Sequence, residues 1–305
     1  MFRHHVRYYP EANSHLTQFE GFTPLRDLLW DIPNMSAVDI QLVDADRRSN
    51  SASRRTGKRK ARPLAGGLSE CRTAKKYPVE ASPFKLADNS AEVFKSQEEL
   101  DEALEGLKSR EEKLAELIDT YSPPHFLLGE AGEPFEYLCR SLIEHQISSK
   151  SAQTICSKFM LRFGSEKEGR FPTPSQVCKG TDDELKAAGL SARKMSYIQD
   201  LARKFDSGEI DTEMLMNTGN NDCHKILTQV KGIGTWIVDM FLLFCLKRQD
   251  VLPLADLGVR RGFQQFFNLP ALPPPEQMLL LAKKWEPYRS IGTWYMWRLA
   301  AATLQ

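Results

Sequence analysis

The stretch LTQVKGIGTWIVD, residues 227–239, has the most informative pattern in the chain. Leu227 and Val230 have the spacing of one helix face, Gly232-Ile233-Gly234 interrupts it, and a long apolar run follows. Glycine tolerates positive φ and leaves no side chain between the main chain and an approaching group. The stretch therefore predicts a short helix, a tight turn and a second helix over Thr235 to Lys247.

Such a turn would present backbone N–H groups at a helix N-terminus, where the helix dipole favours anions. A DNA phosphate is a suitable ligand, because contacts of this kind position a duplex without reading its sequence. The predicted DNA-binding residues are Lys231, Gly232, Ile233, Gly234 and Thr235. The alternative is that Gly-x-Gly is only a tight connection and that Lys231 is a solvated surface lysine.

Helical periodicity begins at Ser96 and continues to the end of the chain, and no segment alternates as a strand would. The fold class predicted is all-α, with eight to ten short helices in one compact domain over residues 112–305. Capping boxes are expected at Ser96 and at Thr181. Pro287 marks the start of a last helix over about Tyr288 to Thr303.

Residues 1–95 carry scattered Pro, Ser, Arg and Gly without a sustained period, which predicts a largely flexible N-terminal extension. The net charge of the chain is only +1, yet residues 47–63 hold eight Lys or Arg and no acid. This run resembles a bipartite nuclear import signal and predicts a nuclear location. The alternative is a solvated tail that touches nucleic acid nonspecifically.

The cysteines and the apolar runs favour a reducing compartment and argue against a membrane. Six cysteines occur without a CxxC pair, which indicates buried thiols such as Cys139 and Cys156 and predicts no metal site. The longest apolar run, Met240 to Leu246, is far shorter than the ~20 residues that a membrane span requires. The start of the chain lacks the apolar core of a signal peptide.

The spacing after the glycine turn brings an acid back toward it. A helix of thirteen residues from Thr235 would be about 20 Å long, and the next eight residues can extend about 26 Å. Asp256 then falls beside the turn, at the start of a helix over Leu257 to Phe267, where an aspartate can also be a helix N-cap. Asp250 in the same loop is read as a surface residue, and Asp239 as a partner in a structural hydrogen bond.

Five segments resemble the 3-methyladenine DNA glycosylases of the helix-hairpin-helix (HhH-GPD) superfamily, and together they cover about residues 122–305. The segments are LIEHQISSKSAQTI from Leu142, LKAAGLSARKMSYIQDLA from Leu185, the glycine hairpin, DVLPLADLGVRRG from Asp250, and WEPYRSIGTWYMW from Trp285. The resemblance implies that Asp256 is the catalytic carboxylate. An oriented anion there would stabilise the positive charge that develops on the deoxyribose as the base leaves.

The resemblance also assigns roles to residues around Asp256. Relatives that cut the DNA strand carry a lysine two residues after the second glycine, whereas this chain has Trp236, so no lyase activity is expected. Trp236 and Trp297 match aromatic positions of the base pocket, with core packing as the alternative. Gln146 matches the residue that enters the stack after base flipping, with Ile147 as the neighbouring candidate. Separately from the resemblance, Arg260, Arg261 and Arg289 are candidate phosphate contacts, with pairing to nearby acids as the alternative.

The combined hypothesis is a monofunctional DNA glycosylase of base excision repair that excises alkylated purines, of the 3-methyladenine and 7-methylguanine type, from duplex DNA. It would flip the base and hydrolyse the N-glycosidic bond with the help of Asp256. The alternatives are a glycosylase for another lesion class and a noncatalytic DNA-binding module. The expected partners are damaged duplex DNA and downstream abasic-site repair enzymes. The protein is expected to be a monomer that needs no cofactor, although the resemblance allows a monovalent cation at the hairpin.

Overall fold

The computed structural model describes residues 91–164 and 170–302 of the chain. Within these ranges the chain is helical, with isolated bridge residues such as Val93, which pairs with Arg248, and no extended strand, so the all-α prediction is confirmed. The α-helices are α1 (Gln97–Arg110), α2 (Glu112–Thr120), α3 (Pro134–Glu144), α4 (Ser149–Phe163), α5 (Pro174–Lys179), α6 (Asp182–Ala187), α7 (Ala192–Asp206), α8 (Thr212–Asn217), α9 (Asn220–Leu227), α10 (Thr235–Met240), α11 (Leu257–Phe266), α12 (Pro275–Leu281) and α13 (Arg289–Ala302).

The number of helices was underestimated, because the described residues after 112 form twelve α-helices rather than eight to ten. Two of them, α5 and α8, were not predicted, because each has only six residues, which is too short for a helical period to show in the sequence. Each is started by its own N-cap side chain, which accepts a hydrogen bond from a backbone N–H. The capping box predicted at Thr181 is present, with Glu184 as its partner.

The second helix of the hairpin ends earlier than predicted. After α10 the chain continues as a π-helix over Phe241–Cys245, and Lys247 then turns the chain with a φ of 58°. The backbone N–H of Arg248 donates a hydrogen bond to the carbonyl oxygen of Leu242, at 2.9 Å. The π-helix and this reversal direct the following loop back toward the glycine turn, as the chain lengths had predicted.

Helices α11 and α13 pack along each other, and this packing brings Asp256 and Trp297 close together. A Cβ atom added to Gly262 would lie 2.2 Å from the carbonyl oxygen of Met296, so only glycine allows the two backbones to come this close. Asp256 begins α11, and Trp297 follows Met296 in α13. The close packing therefore places this acid and this indole in the same region of the core.

The residues that precede α2 are also part of the packed domain. Phe94 is buried and stacks on Tyr288, with ring centroids 5.8 Å apart, and α1 buries Leu100 and Leu107. The packed region thus begins before residue 112. The basic segment 47–63 and the predicted flexible residues up to 90 lie outside the described part of the chain. No helix in the described part is long and apolar enough to cross a membrane.

Candidate active site beside the glycine hairpin

The glycine turn between α9 and α10 is held against helix α7. Gly232 has a φ of 85°, and a Cβ atom there would lie 2.3 Å from the ring of Tyr197, so both the backbone angle and the contact require glycine. Asp200, one helical turn after Tyr197, accepts a hydrogen bond from the backbone N–H of Lys231 at 2.9 Å. Contacts with α7 therefore hold the turn in place.

The outer side of the turn is open to solvent. Lys231, Gly232, Gly234 and Thr235 are exposed, whereas the Ile233 side chain is buried in the core and anchors the turn. Gly234 is the N-cap of α10, and no side chain caps the helix. The first N–H groups of a helix have no partner within the helix, so an uncapped and exposed N-terminus is available to solvent or to an anion.

Asp256 lies beside this hairpin and is almost completely buried, at 2% exposure. Its Oδ1 accepts hydrogen bonds from the backbone N–H of Val259 at 2.8 Å and from the indole N–H of Trp297 at 2.9 Å. Its Oδ2 accepts a bond from the indole N–H of Trp236 at 2.9 Å. The aspartate is thus the N-cap of α11 and also the acceptor of two tryptophans, one of them in the hairpin helix.

The two tryptophans predicted for the base pocket differ in their surroundings. Trp297 is 1% exposed, and its ring stacks on Phe244 with centroids 5.9 Å apart. Trp236 is only partly buried. The structure thus adds N–H contacts to Asp256 that were not anticipated from the sequence. A contact of either ring with an extruded base stays a prediction.

A histidine pairs with another aspartate next to this site. Asp239 of α10 is buried, and its carboxylate lies 2.9 Å from Nε2 of His224, as expected for a structural hydrogen bond. Burial raises the pKa of Asp239, the paired His224 only partly offsets this, and the charge of Asp256 adds to the rise. Burial acts to lower the pKa of His224, but the Asp239 carboxylate outweighs it and the pKa is raised.

Asp250 is not the surface residue that its place in the sequence suggested. It is 3% exposed and forms a two-point ion pair with Arg289, with Arg289 Nε to Oδ1 at 2.7 Å and a terminal nitrogen to Oδ2 at 2.6 Å. Arg289 is 1% exposed and also contacts Glu286, so the prediction that it contacts phosphate is wrong. The tertiary packing of α13 against the loop buries both charges together.

The loop that carries Gln146 has an unusual backbone. Gln146 is exposed and has a φ of 59°, which is uncommon for a residue other than glycine. The Nζ atom of Lys194 donates hydrogen bonds to the carbonyl oxygens of Ile143 and His145, just before this residue. Burial lowers the pKa of Lys194 to about 8. Arg260 is partly buried, and its Nε donates to the carbonyl oxygen of Pro273 at 3.2 Å.

Sequence reasoning missed the residues that support the site from α7. Lys194, Tyr197 and Asp200 follow one another at intervals of three, which places them along one side of that helix. This spacing inside an otherwise amphipathic helix was a usable signal. Among residues 91–164 and 170–302, no group of three or more His, Cys, Asp or Glu is placed to hold a metal ion. A monovalent cation at the hairpin stays a prediction.

Comparisons with known proteins agree with this geometry. Residues 139–287 match the family model of the HhH-GPD superfamily base excision DNA repair proteins. The chain is 34% identical over 196 residues to DNA-3-methyladenine glycosylase 1 of Schizosaccharomyces pombe, a match that covers 64% of this chain and 84% of that protein.

Solved structures give the same result. A 3-methyladenine DNA glycosylase of S. pombe in complex with abasic DNA matches with a TM-score of 0.54 and 32% identity, over 65% of this chain and 95% of that one. A DNA-3-methyladenine glycosidase of Bacillus halodurans matches with a TM-score of 0.58 and 27% identity, over 66% of this chain and 90% of that one.

The resemblance seen in the sequence is thereby confirmed. Because the relatives are glycosylases, the predicted enzyme class, a hydrolase of N-glycosyl bonds, is confirmed as well. The glycine hairpin and the buried Asp256 next to it lie within residues 139–287, the range that matches the family model. The chain belongs to the HhH-GPD superfamily of base excision DNA repair proteins.

Proposed function

We propose that this protein excises alkylated purines, of the 3-methyladenine and 7-methylguanine type, from duplex DNA, and that Asp256 is its catalytic carboxylate. One observation carries the proposal: Asp256 is buried beside the exposed hairpin and is bound only by neutral N–H donors, without a cation among its described partners. The names of the relatives, DNA-3-methyladenine glycosylases, support the choice of lesion.

Cleavage of the N-glycosidic bond requires a carboxylate whose orientation is fixed and whose negative charge is not neutralised by a nearby cation. As the base departs, the deoxyribose becomes positively charged, and an oriented carboxylate in a dry site stabilises that transition state. Methylation of a purine ring nitrogen makes the base cationic and a better leaving group. An indole face attracts such a cation by about 0.5–2 kcal/mol, and Trp236 is the partly exposed indole at the site.

Water is the proposed nucleophile, so the product is an abasic site in an intact strand. The side chain at position 236 touches Asp256 directly, and it is a tryptophan, which has no amine that could form a Schiff base with the sugar. The nearby Lys231 is exposed, and its backbone N–H is bound to Asp200. We assign Lys231 to contact with the phosphate backbone.

The hairpin and the loop of Gln146 form the proposed DNA contacts. The exposed residues Gly232, Gly234 and Thr235 suit a phosphate contact, whereas the N–H of Ile233 donates to the carbonyl oxygen of Val230 at 3.2 Å. Gln146 protrudes on a backbone conformation that Lys194 supports, which suits a side chain that fills the gap left by a flipped nucleotide. Arg260 is a further phosphate contact in this proposal.

A base-release assay tests the function. The full chain is incubated with duplexes that carry a single 7-methylguanine, 3-methyladenine or hypoxanthine, and the free bases are separated and counted. We expect release of the methylated purines, alkali-sensitive abasic sites in uncut strands, and no covalent adduct on borohydride treatment. Release of hypoxanthine alone would indicate another lesion class. DNA binding without release of any base would indicate a noncatalytic module.

A charge placed at the turn tests the hairpin contact. A Cβ atom at Gly234 meets nothing within 4 Å, so Gly234→Glu is expected to fold normally while placing a carboxylate where a phosphate would bind. We expect a loss of affinity for undamaged duplex DNA of about tenfold or more at low salt. Gly106→Glu in α1 adds the same charge away from the hairpin, where a Cβ atom would have only the flexible side chain of Arg110 nearby, at 4.0 Å, and is the control. Equal affinities of the two variants would reject the hairpin contact.

We further propose that the protein acts in the nucleus and as a monomer. Abasic-site repair enzymes act after it. The eight Lys and Arg residues of segment 47–63 support import. Fluorescent fusions of the full chain, with and without replacement of these residues by Gln, test this. Equal nuclear fluorescence of the two fusions would reject the segment as an import signal.

A further inference from the structure

Asp256 has most of its hydrogen-bonding capacity already occupied. A carboxylate has four lone-pair positions, two on each oxygen. On Oδ1 both are used, by the N–H groups of Val259 and Trp297, whereas on Oδ2 only one is used, by Trp236. One lone pair, on Oδ2, therefore has no donor among the described residues.

We propose that Trp236 and Trp297 are positioning residues that act through their indole N–H groups and direct this one lone pair of Asp256 toward the sugar. The inference rests on the proposed function of Asp256 and adds a role that differs from packing around a base. Two indole donors orient an anion without neutralising it, since each donor is uncharged. A lysine or arginine in the same place would orient the carboxylate and also cancel most of its field.

The two tryptophans contribute differently to this orientation. Trp297 is buried and stacked on Phe244, so its N–H has a fixed direction and holds Oδ1 together with the helix N-terminus. Trp236 is the one partly exposed residue among the three donors. In the proposal, Oδ2 is the oxygen that meets the sugar, because its donor Trp236 is the partly exposed one.

Replacement of each tryptophan by phenylalanine separates the N–H from the ring, because phenylalanine keeps an aromatic face and lacks the donor. Trp294→Phe is the matched control, since Trp294 lies in the same helix as Trp297 and donates to the carbonyl oxygen of Ser122 instead. Single-turnover release of 7-methylguanine at saturating enzyme is measured together with the dissociation constant for the same duplex.

For Trp297→Phe and Trp236→Phe we expect release to slow by about tenfold to a hundredfold, the range for loss of a hydrogen bond to a charged group, with DNA affinity unchanged. Trp294→Phe is expected to stay within about twofold of the wild type. Release by both site variants at the rate of Trp294→Phe would overturn the inference. A loss of affinity with normal release would do the same, because it would indicate a role in base contact only.

Nuclear magnetic resonance provides a readout that does not require activity. The chain has five tryptophans, so the indole N–H region of the ¹⁵N-labelled protein is simple and can be assigned with the same three variants. In Asp256→Asn an amide nitrogen replaces one carboxylate oxygen, and we expect the signals of Trp236 and Trp297 to move while that of Trp294 does not. Unmoved signals of Trp236 and Trp297 would overturn the inference even if Trp297→Phe fails to fold. A wild type that releases no base would instead overturn the proposed function.

Discussion

Asp250 and Asp256 lie in one loop, and both are buried, but their partners differ in kind. Asp250 is bound at two points by the guanidinium of Arg289 and also accepts the backbone N–H of Arg289 at 3.0 Å. Asp256 is bound by one backbone N–H and two indoles, all uncharged. The first carboxylate is paired with a cation, whereas the second has only neutral N–H donors among its described partners.

The difference indicates what each aspartate can do. A compensated pair fixes the position of α13 on the loop, because separating the two charges would leave each of them buried alone. An uncompensated anion has a field that extends into the site, which is the property that N-glycosidic cleavage requires. Asp239 is an intermediate case, since its partner His224 can be charged or neutral according to pH.

The largest effect is expected from breaking the compensated pair. Asp250→Asn leaves Arg289 buried with only part of its partners, and we expect the free energy of unfolding to fall by about 3–5 kcal/mol. Urea denaturation followed by circular dichroism measures it. The double variant with Arg289→Met is expected to recover part of the loss. A decrease below about 1 kcal/mol in the single variant would show that the ion pair does not hold the loop.

The reverse pattern is expected at the uncompensated acid. Asp256→Asn should slow base release by about 10²–10³-fold, as removal of an electrostatic group at a transition state does. Its free energy of unfolding should fall by no more than about 1–2 kcal/mol, because asparagine is as good an N-cap but its amide nitrogen cannot accept the hydrogen bond of Trp236. Parallel release and denaturation experiments measure both. A large loss of stability would remove the distinction between the two aspartates.

A smaller effect is expected when the turn that carries Trp236 is strained. Gly232→Ala combines a positive φ with a contact of 2.3 Å to the Tyr197 ring, and we expect a loss of about 1–3 kcal/mol in unfolding free energy. Gly234→Ala, where nothing lies within 4 Å, is the control and should cost less, at most about 1 kcal/mol, which reflects only the poorer N-cap. Equal losses in the two variants would show that Tyr197 does not brace the turn.

The smallest effect is expected for the pair of His224 and Asp239, because the charge of His224 depends on pH. Because the pKa of His224 is raised in the folded protein, its pairing stabilises the fold fully below the ordinary value of 6.5, and this contribution is lost as the pH rises through the folded pKa. Relative to His224→Gln, the wild type should gain about 1 kcal/mol at pH 6 and much less at pH 9. A difference that grows toward pH 9 would contradict the assigned direction.

The local pattern predicted the hairpin, the N-cap at Asp256 and the return of the loop. Two glycines between apolar residues favour a turn through local backbone preferences. An aspartate that precedes an amphipathic run caps a helix through short-range hydrogen bonds. The number of helices and the end of the hairpin helix were predicted less well. Six-residue helices show no clear period, and a π-helix has the same apolar composition as an α-helix.

The partners of the acids could not be predicted from the sequence, because they come from distant parts of the chain. Asp250 follows Lys247, Arg248 and Gln249, a polar run that favours the surface, yet Arg289 lies beside it in space. Trp236 and Trp297 flank Asp256 in the fold but are separated from it by 20 and 41 residues. Lys194, Tyr197 and Asp200 also contact residues far away in the sequence, and only their spacing of three along α7 marked them in advance.

By itself, the amino-acid sequence determined the helical class, the glycine turn and the position of one acid close to that turn, because these depend on local backbone preferences and on the length of the intervening chain. Only the tertiary structure decided which buried acid is paired with a cation and which has only neutral N–H partners. That outcome depends on how closely α11 and α13 pack, and a contact between residues forty positions apart has no signature in the local sequence.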